Sequence, residues 1–229
     1  MSKPVYRKLM ASLLDALGLE WHRARADLIY RTDKKYLMQC ITCQSSNFSS
    51  DYVPATFVHI LPKGGDFLRS DIGDRIKTPR SGFLGLKPPR DLWLDGSSDP
   101  PLADVLRLAT AKAIIPFDSP LTVEALAAQI DRSSKSSFEY AQWWSAGIVY
   151  GLCGRPDQAR TCLDRARKQL ERLQSRLDKD GIARWDWVGE ALAAIAQARL
   201  LLEHQRQFST WCRSIAATSA AALGLTAYV

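Results

Sequence analysis

The sequence predicts an α+β protein in which an antiparallel sheet with flanking helices is followed by an all-α region of helical hairpins. Three observations support this fold class. Short runs rich in β-branched and aromatic residues follow one another directly between residues 20 and 61. An amphipathic helical pattern precedes these runs, and helical patterns dominate from residue 102 onward. We therefore expect an α+β domain at residues 1–118 and an α-helical domain at residues 119–229.

The first predicted element is an N-terminal helix. Val5, Leu9, Leu13 and Leu17 recur every four residues, which places one apolar face toward a core, and Gly18 is typical of a helix end. Four strands should follow, at residues 20–23, 27–31, 36–44 and 52–61. Because short polar turns join them directly, an antiparallel meander is favoured. The fourth strand is apolar on both faces, which is typical of a central, covered strand.

The stretch from Pro62 to Pro101 is rich in Gly and Pro, so it should be mostly loop with one short strand. A helix is expected at residues 102–115, and Pro116-Phe117-Asp118 ends it. A second helix should run from Ser119-Pro120 to Ile130, and a polar linker at residues 133–137 separates it from further helices.

Residues 140–171 contain the most specific local pattern. Small and aromatic residues fall at the spacings of one tetratricopeptide repeat, namely Trp143, Gly147, Tyr150, Gly154, Ala159, Leu163 and Ala166. Gly147 and Ala159 would let two antiparallel helices approach closely, with Gly154-Arg155-Pro156 as the turn. The motif occurs once, whereas a stable solenoid needs about three copies, so a helical hairpin packed on its neighbours is favoured over a peptide-binding groove.

Several segments within residues 5–130 carry a wider resemblance. They are Leu17-Gly18 after the first helix, Gln44-Ser45-Ser46 after a strand, the strand 56–61, the basic segment from Arg75 to Trp93, and Pro116-Phe117-Asp118. Together they resemble the bacterial domain-of-unknown-function family 4304, although the single Trp93 stands where two adjacent tryptophans are common. The resemblance implies an α+β domain with no established activity, and it loosely suggests a role in toxin immunity or defence.

Charge and cysteine content narrow the classes of function. The net charge is +7, but acidic residues interleave with basic ones, and much of the positive charge falls on the solvent faces of helices. The five cysteines do not suggest a secreted disulfide framework, so we expect reduced thiols and a cytoplasmic location. Cys40 and Cys43 form a C-x-x-C motif on a strand, where they should face opposite sides. No membrane span or signal peptide is predicted.

The sequence lacks the common catalytic and cofactor motifs. It contains no Gly-x-Ser-x-Gly, no phosphate-binding Gly-x-x-x-x-Gly-Lys-Ser/Thr, no Gly-x-Gly-x-x-Gly and no His-Glu-x-x-His. We therefore predict no catalytic residue, no metal ligand and no cofactor.

Two candidate sites lie in the first domain. Gln44 and Ser45, with Ser46 and Asn47 after them, either recognise a ligand or form a turn bonded to the local backbone. The second candidate combines basic and aromatic residues of the loop: Arg69, Arg75, Lys77, Arg80, Lys87, Arg90, Phe83 and Trp93. These residues either bind phosphates and stack on bases, or form a solvated loop whose aromatic residues attach it to the core.

The third candidate is an aromatic group in the helical domain, formed by Tyr140, Trp143, Trp144, Trp185 and Trp187. Such residues either anchor a partner or pack helices together. Because adjacent tryptophans point in different directions on a helix, one of each pair should be exposed or should meet the first domain.

Taken together, the sequence favours a non-catalytic cytoplasmic binding protein that acts through protein–protein contacts. The alternatives are nucleic-acid binding through the basic loop 69–93 and an enzyme with an unrecognised site.

Overall fold

The computed structural model describes residues 6–64, 71–78, 90–96, 98, 101–133, 138–179, 186–225 and 228. The chain forms two compact units. The first comprises residues 1–59, 67–121 and 223–229, and the second comprises residues 60–66 and 122–222. Compared with the predicted domains 1–118 and 119–229, the segment 60–66 belongs to the second unit and the C-terminal segment 223–229 to the first.

The first unit contains a five-stranded sheet and two helices among its described residues. In chain order these are α1 (Tyr6–Leu17), β1 (His22–Arg25), β2 (Leu28–Thr32), β3 (Leu37–Ser45), β4 (Tyr52–Ile60), β5 (Ile72–Arg75) and α2 (Leu102–Lys112). The sheet is antiparallel and its strands lie side by side in chain order. The α+β fold class is therefore confirmed, and β5 is the short strand expected within the Gly/Pro-rich segment.

The tight polar turn between β2 and β3 fixes their register, in which Thr32 pairs with Met38 and Leu28 with Thr42. The Asp33 carboxylate accepts hydrogen bonds from the backbone N–H groups of residues 35, 36 and 37 at 2.7–2.8 Å. Lys34 has a φ of 58°, in the left-handed region that such a turn requires. At the far end of the sheet, β4 pairs with β5 from Val58↔Ile72 to Ala55↔Arg75.

The core of the first unit lies between the sheet and its two helices. Its fully buried members include Leu9 and Leu13 from α1, Val105 from α2, and Ile29 and Ile41 from the sheet. Burying one such side chain contributes roughly 1.5–3 kcal/mol, so the predicted apolar face of the first helix is a main source of stability for this unit.

α2 ends at Lys112, three residues before the predicted end at Ile115. Two side chains from the sheet explain the earlier end, because they donate hydrogen bonds to the backbone carbonyl oxygens that follow the helix. Arg31 donates to Pro116 O at 2.8 Å and to Phe117 O at 2.7 Å, and Gln39 Nε2 donates to Ile115 O at 2.7 Å. Burial lowers the pKa of Arg31, although Glu20 and Asp118 partly counteract this.

The described part of the second unit is helical, and it begins with one turn of 3-10 helix at Leu61–Lys63 that packs against α7. Its α-helices are α3 (Val123–Arg132), α4 (Tyr140–Leu152), α5 (Pro156–Lys179), α6 (Asp186–Leu201) and α7 (Gln205–Ala222). Thr122 caps α3, because its hydroxyl oxygen accepts a hydrogen bond from the N–H of Ala125 at 3.1 Å. Among the described residues, no helix combines the length and the apolar character needed to cross a membrane.

α4 and α5 form the hairpin on which the tetratricopeptide-like pattern falls. A Cβ atom at Gly147 would lie 2.6 Å from Leu163 Cδ2, so the two helices approach more closely than any other residue allows. Gly154 makes the turn with a φ of 68°, and the N–H of Arg155 donates to Tyr150 O at 2.9 Å. The pattern thus corresponds to a close helix–helix contact.

Candidate functional site

Three segments of the chain meet where β3 and β5 end: the two strand ends and residues 90–96. They bring several of the predicted site residues together. β3 supplies Gln44, β5 supplies Arg75, and the segment 90–96 supplies Trp93. Backbone bridges hold that segment in place, because Tyr52 pairs with Leu94 and Lys77 pairs with Asp91. The closure is tight, since a Cβ atom at Gly96 would lie 2.0 Å from Ser50 O.

Arg75 is the centre of this arrangement. Its Nε donates to Gln44 Oε1 at 2.9 Å, and its Nη1 donates to Asp91 Oδ2 at 2.9 Å. Its guanidinium carbon lies 5.9 Å from the centroid of the Trp93 ring, within the range of a cation–π contact. We call Gln44, Arg75, Asp91 and Trp93 the Arg75–Trp93 cluster. The side chain of Arg75 is 43% exposed and Trp93 is 46% exposed, so the cluster is open to solvent.

Lys77 extends the cluster and is also paired with a carboxylate. Its Nζ lies 2.6 Å from Asp74 Oδ2, and this hydrogen bond raises the pKa of Lys77. Arg90 is exposed, and its backbone N–H donates to Thr78 Oγ1 at 3.2 Å. The predicted residues Arg69 and Arg80 lie outside the described residues, as do Lys87 and Phe83. In the part of the loop that is described, the charges of Arg75 and Lys77 are therefore largely compensated.

The turn after β3 combines the two expectations for Gln44 and Ser45. Ser46 Oγ accepts hydrogen bonds from the N–H groups of Phe48 and Ser49 at 3.1 and 3.2 Å, as expected for a locally bonded turn. Gln44 instead reaches Arg75, while Ser45 is exposed. The turn also presents Phe48, which is 99% exposed. Sequence reasoning missed Phe48, and its signal was a single aromatic residue within a polar turn.

The aromatic residues of α4 are buried. Trp143 is 5% exposed and Trp144 is 4% exposed, so neither of these two tryptophans faces solvent. The Trp143 ring meets Phe138 edge-to-face at 5.2 Å and lies 4.4 Å from the guanidinium carbon of Arg165. Lys63 Nζ lies 5.5 Å from the Trp144 ring. Both rings are held by contacts within the second unit.

Of the remaining aromatic residues of that group, Tyr140 and Trp187 are described and Trp185 is not. Trp187 stacks on Tyr140 with 5.7 Å between ring centroids, which corresponds to the packing alternative. Trp185 lies outside the described residues.

One buried group resembles a catalytic arrangement in residue type. His59 Nδ1 lies 2.9 Å from Asp71 Oδ2, with the two side chains 2% and 0% exposed. Cys40 is fully buried, and burial together with the charge of Asp71 raises the pKa of its thiol well above the ordinary value. A protonated, buried thiol is not a nucleophile, so this group does not form an active site with Cys40 as the attacking residue. Sequence reasoning missed the pair because the residues come from a strand and a loop.

The described residues contain no group of three His, Cys, Asp or Glu side chains placed to hold a metal ion. Comparisons with protein-family models, with curated proteins and with solved structures give no match. The resemblances to family 4304 and to a tetratricopeptide repeat therefore stay predictions.

Proposed function

We propose that this protein is a non-catalytic binding protein that acts through protein–protein contacts made by the Arg75–Trp93 cluster and by Phe48 in the turn after β3. The observation that carries the proposal is the fixed position of a half-exposed arginine over a half-exposed tryptophan. Arg and Trp are among the residues that contribute most to protein interfaces.

Pre-organisation supports the same proposal. Gln44 and Asp91 each hold the Arg75 guanidinium at 2.9 Å, so little side-chain freedom remains to be lost when a partner binds. An immobilised side chain typically costs about 0.5–1.5 kcal/mol on association. An anchor that is already ordered in the free protein avoids most of that cost.

Charge balance favours a protein partner over nucleic acid at this surface. Arg75 is paired with Asp91 and Lys77 with Asp74, so each of these cations has a carboxylate beside it. Those carboxylates would repel a phosphate backbone, whereas protein interfaces commonly contain paired charges.

The thiols support a non-catalytic role in a reducing compartment. All five cysteines are free, and burial raises the pKa of Cys43 to about 12 and that of Cys153 to about 11. At neutral pH both thiols are protonated, which is typical of structural cysteines. Free thiols support the proposal of a cytoplasmic location. The immunity or defence role suggested by the family resemblance is an expectation to be tested with the partner in hand.

A quantitative capture experiment tests the proposal. The tagged full chain and its Arg75→Ala/Trp93→Ala variant are used as baits in nuclease-treated lysate of the native cell. We expect the proteins enriched by the wild-type bait to fall at least about tenfold with the variant, because loss of an interface anchor costs about 2 kcal/mol or more.

The matched control is Leu200→Ala/Arg213→Ala, which removes one exposed apolar residue and one exposed arginine from the second unit. This control should retain the enriched proteins, and thermal melts should show that both variants fold. An enriched set that is the same for all three baits, or no enriched protein at all, would refute the proposal.

A further inference from the structure

A line of basic residues runs along the exposed side of α5. Its members are Arg165, Lys168, Arg172, Arg176 and Lys179, and all of them are exposed. Their spacings of three and four residues place them on one face of the helix, within an arc of about 80° and along about 21 Å of its axis. We call this line the α5 basic stripe.

Two carboxylates along α5 are paired with other arginines, and the exposed Asp178 falls outside the arc of the stripe. Asp164 Oδ1 lies 2.9 Å from Arg199 Nε of α6, and Glu171 Oε1 lies 3.6 Å from Arg167 Nε. Within the described residues, Lys168, Arg172, Arg176 and Lys179 have no ion-pair partner. The stripe is therefore an uncompensated row of positive charge, unlike the paired charges of the Arg75–Trp93 cluster.

Helix stability explains only part of this row. Cations in the last turn of a helix interact favourably with its macrodipole, and this accounts for Arg176 and Lys179. The effect falls off within about one turn. Arg165, Lys168 and Arg172 lie farther from the helix end, so the macrodipole does not explain why they continue the same line.

The composition of the surface indicates the kind of partner. The shallow groove along the stripe is lined by polar and charged residues, namely Lys168, Glu171, Arg172, Ser175, Arg176 and Lys179. This lining offers no apolar anchor for a partner protein and no apolar side chain to enter a bilayer. A phosphodiester backbone needs neither, because regularly spaced cations supply most of its non-specific affinity.

We propose that the α5 basic stripe binds the phosphate backbone of nucleic acid. Each of the five cations faces a phosphate, and counterions released from the nucleic acid drive the association. The nearby polar groups are already engaged, because Ser175 Oγ donates to Glu171 O and Gln169 Nε2 donates to Phe138 O. Binding is therefore independent of base sequence.

Fluorescence anisotropy with the full chain tests this proposal. The probes are a DNA duplex of about 20 base pairs and its separated strands, titrated at several salt concentrations. For duplex DNA we expect a slope of log K against log salt of roughly −4, since each neutralised phosphate contributes about −0.9. A comparison of duplex with single strand identifies the form of nucleic acid that the stripe prefers.

Two charge-matched variants locate the binding surface. Arg172→Gln/Arg176→Gln removes two cations from the stripe, and we expect it to reduce the slope by about 2 and the low-salt affinity by at least about tenfold. Arg206→Gln/Arg213→Gln removes the same charge from exposed positions on α7, and it should change the affinity by less than about twofold.

Several outcomes would overturn the proposal. They are the absence of binding at low salt, an equal loss in both double variants, and a loss caused by Arg75→Gln/Lys77→Gln but not by the stripe variant. Equal affinity for a poly-glutamate peptide or for anionic vesicles would also overturn it, because the surface would then not be suited to a phosphate backbone. The capture experiment uses variants of different residues, so the two proposals can fail independently.

Discussion

Burial of a single side chain can change the pKa and hence the reactivity of its ionisable group. Cys153 is half-buried, and burial, with a smaller contribution from the charge of Glu124, raises its pKa to about 11. Since only the thiolate attacks alkylating agents, the reactivity of this residue should follow its pKa more closely than its exposure.

The first prediction concerns the alkylation of Cys153 in the folded protein. The rate with iodoacetamide should rise about tenfold per pH unit between about pH 8 and 10, without a plateau, because the thiolate fraction grows in that proportion below the pKa. Mass spectrometry of the modified peptide measures the rate, and Cys153→Ser identifies the signal. A plateau below pH 9 would mean that the pKa is not raised.

A second prediction concerns the buried pair of His59 and Asp71. His59→Leu should lower the free energy of unfolding by about 3 kcal/mol, because it leaves the Asp71 carboxylate buried without its imidazole neighbour. The double variant His59→Leu/Asp71→Leu should recover part of this loss, since it removes the buried carboxyl group as well. Urea unfolding provides the measurement, and a double variant less stable than the single one would contradict the assignment.

At the scale of elements, two glycines that both lie within helices have opposite roles. A Cβ atom at Gly147 would meet Leu163 Cγ at 2.7 Å, whereas nothing lies within 4 Å of a Cβ atom at Gly189. The first glycine permits the α4–α5 contact, and the second only weakens α6.

The third prediction follows from this contrast. Gly147→Ala should destabilise the protein by about 1–3 kcal/mol through overpacking. Gly189→Ala should stabilise it by roughly 0.5–1 kcal/mol, because alanine is the better residue in an exposed helix. The two variants are compared by thermal and urea unfolding. Changes of the same sign would show that the hairpin does not require its close approach.

Elements could be predicted from the sequence where the pattern is local. β1 to β4 begin and end within two residues of the predicted strands, because alternation and polar turns are properties of adjacent residues. The end of α2 could not be predicted, since Arg31 and Gln39 reach it from strands more than 70 residues earlier.

The Arg75–Trp93 cluster was predicted only as a list of residue types. Which cations carry a carboxylate partner depends on tertiary contacts, and those contacts distinguish this cluster from the α5 basic stripe.

For the whole molecule, the net charge of +7 alone says little about partners. In the described part of the first unit, Arg75 and Lys77 are compensated by Asp91 and Asp74. On α5, four cations of the basic stripe have no ion-pair partner among the residues that the structure describes. The two candidate surfaces therefore differ in kind, since we propose that one binds through pre-organised contacts and the other through the release of counterions.

The last prediction concerns the stability of the whole chain at alkaline pH. Burial raises the pKa of Cys43 and of Tyr52 to about 12 each, and it raises the pKa of Cys212 and Tyr150 as well. In the unfolded chain these groups lose their protons near pH 9 to 10, while the folded protein retains them. The unfolded state then binds fewer protons, so the free energy of unfolding must fall as pH rises from about 9 to 12.

The expected slope is up to about 1.4 kcal/mol per pH unit for each group that is ionised only in the unfolded state. Urea unfolding, followed by tryptophan fluorescence, should give a nearly constant stability from about pH 7 to 8 and a steepening loss above pH 9. Cys212→Ala should reduce the slope of the free energy of unfolding against pH, since about one proton fewer is released on unfolding when the Cys212 thiol is absent. A stability that is unchanged or rising between pH 9 and 11 would show that these groups titrate alike in the folded and unfolded chain.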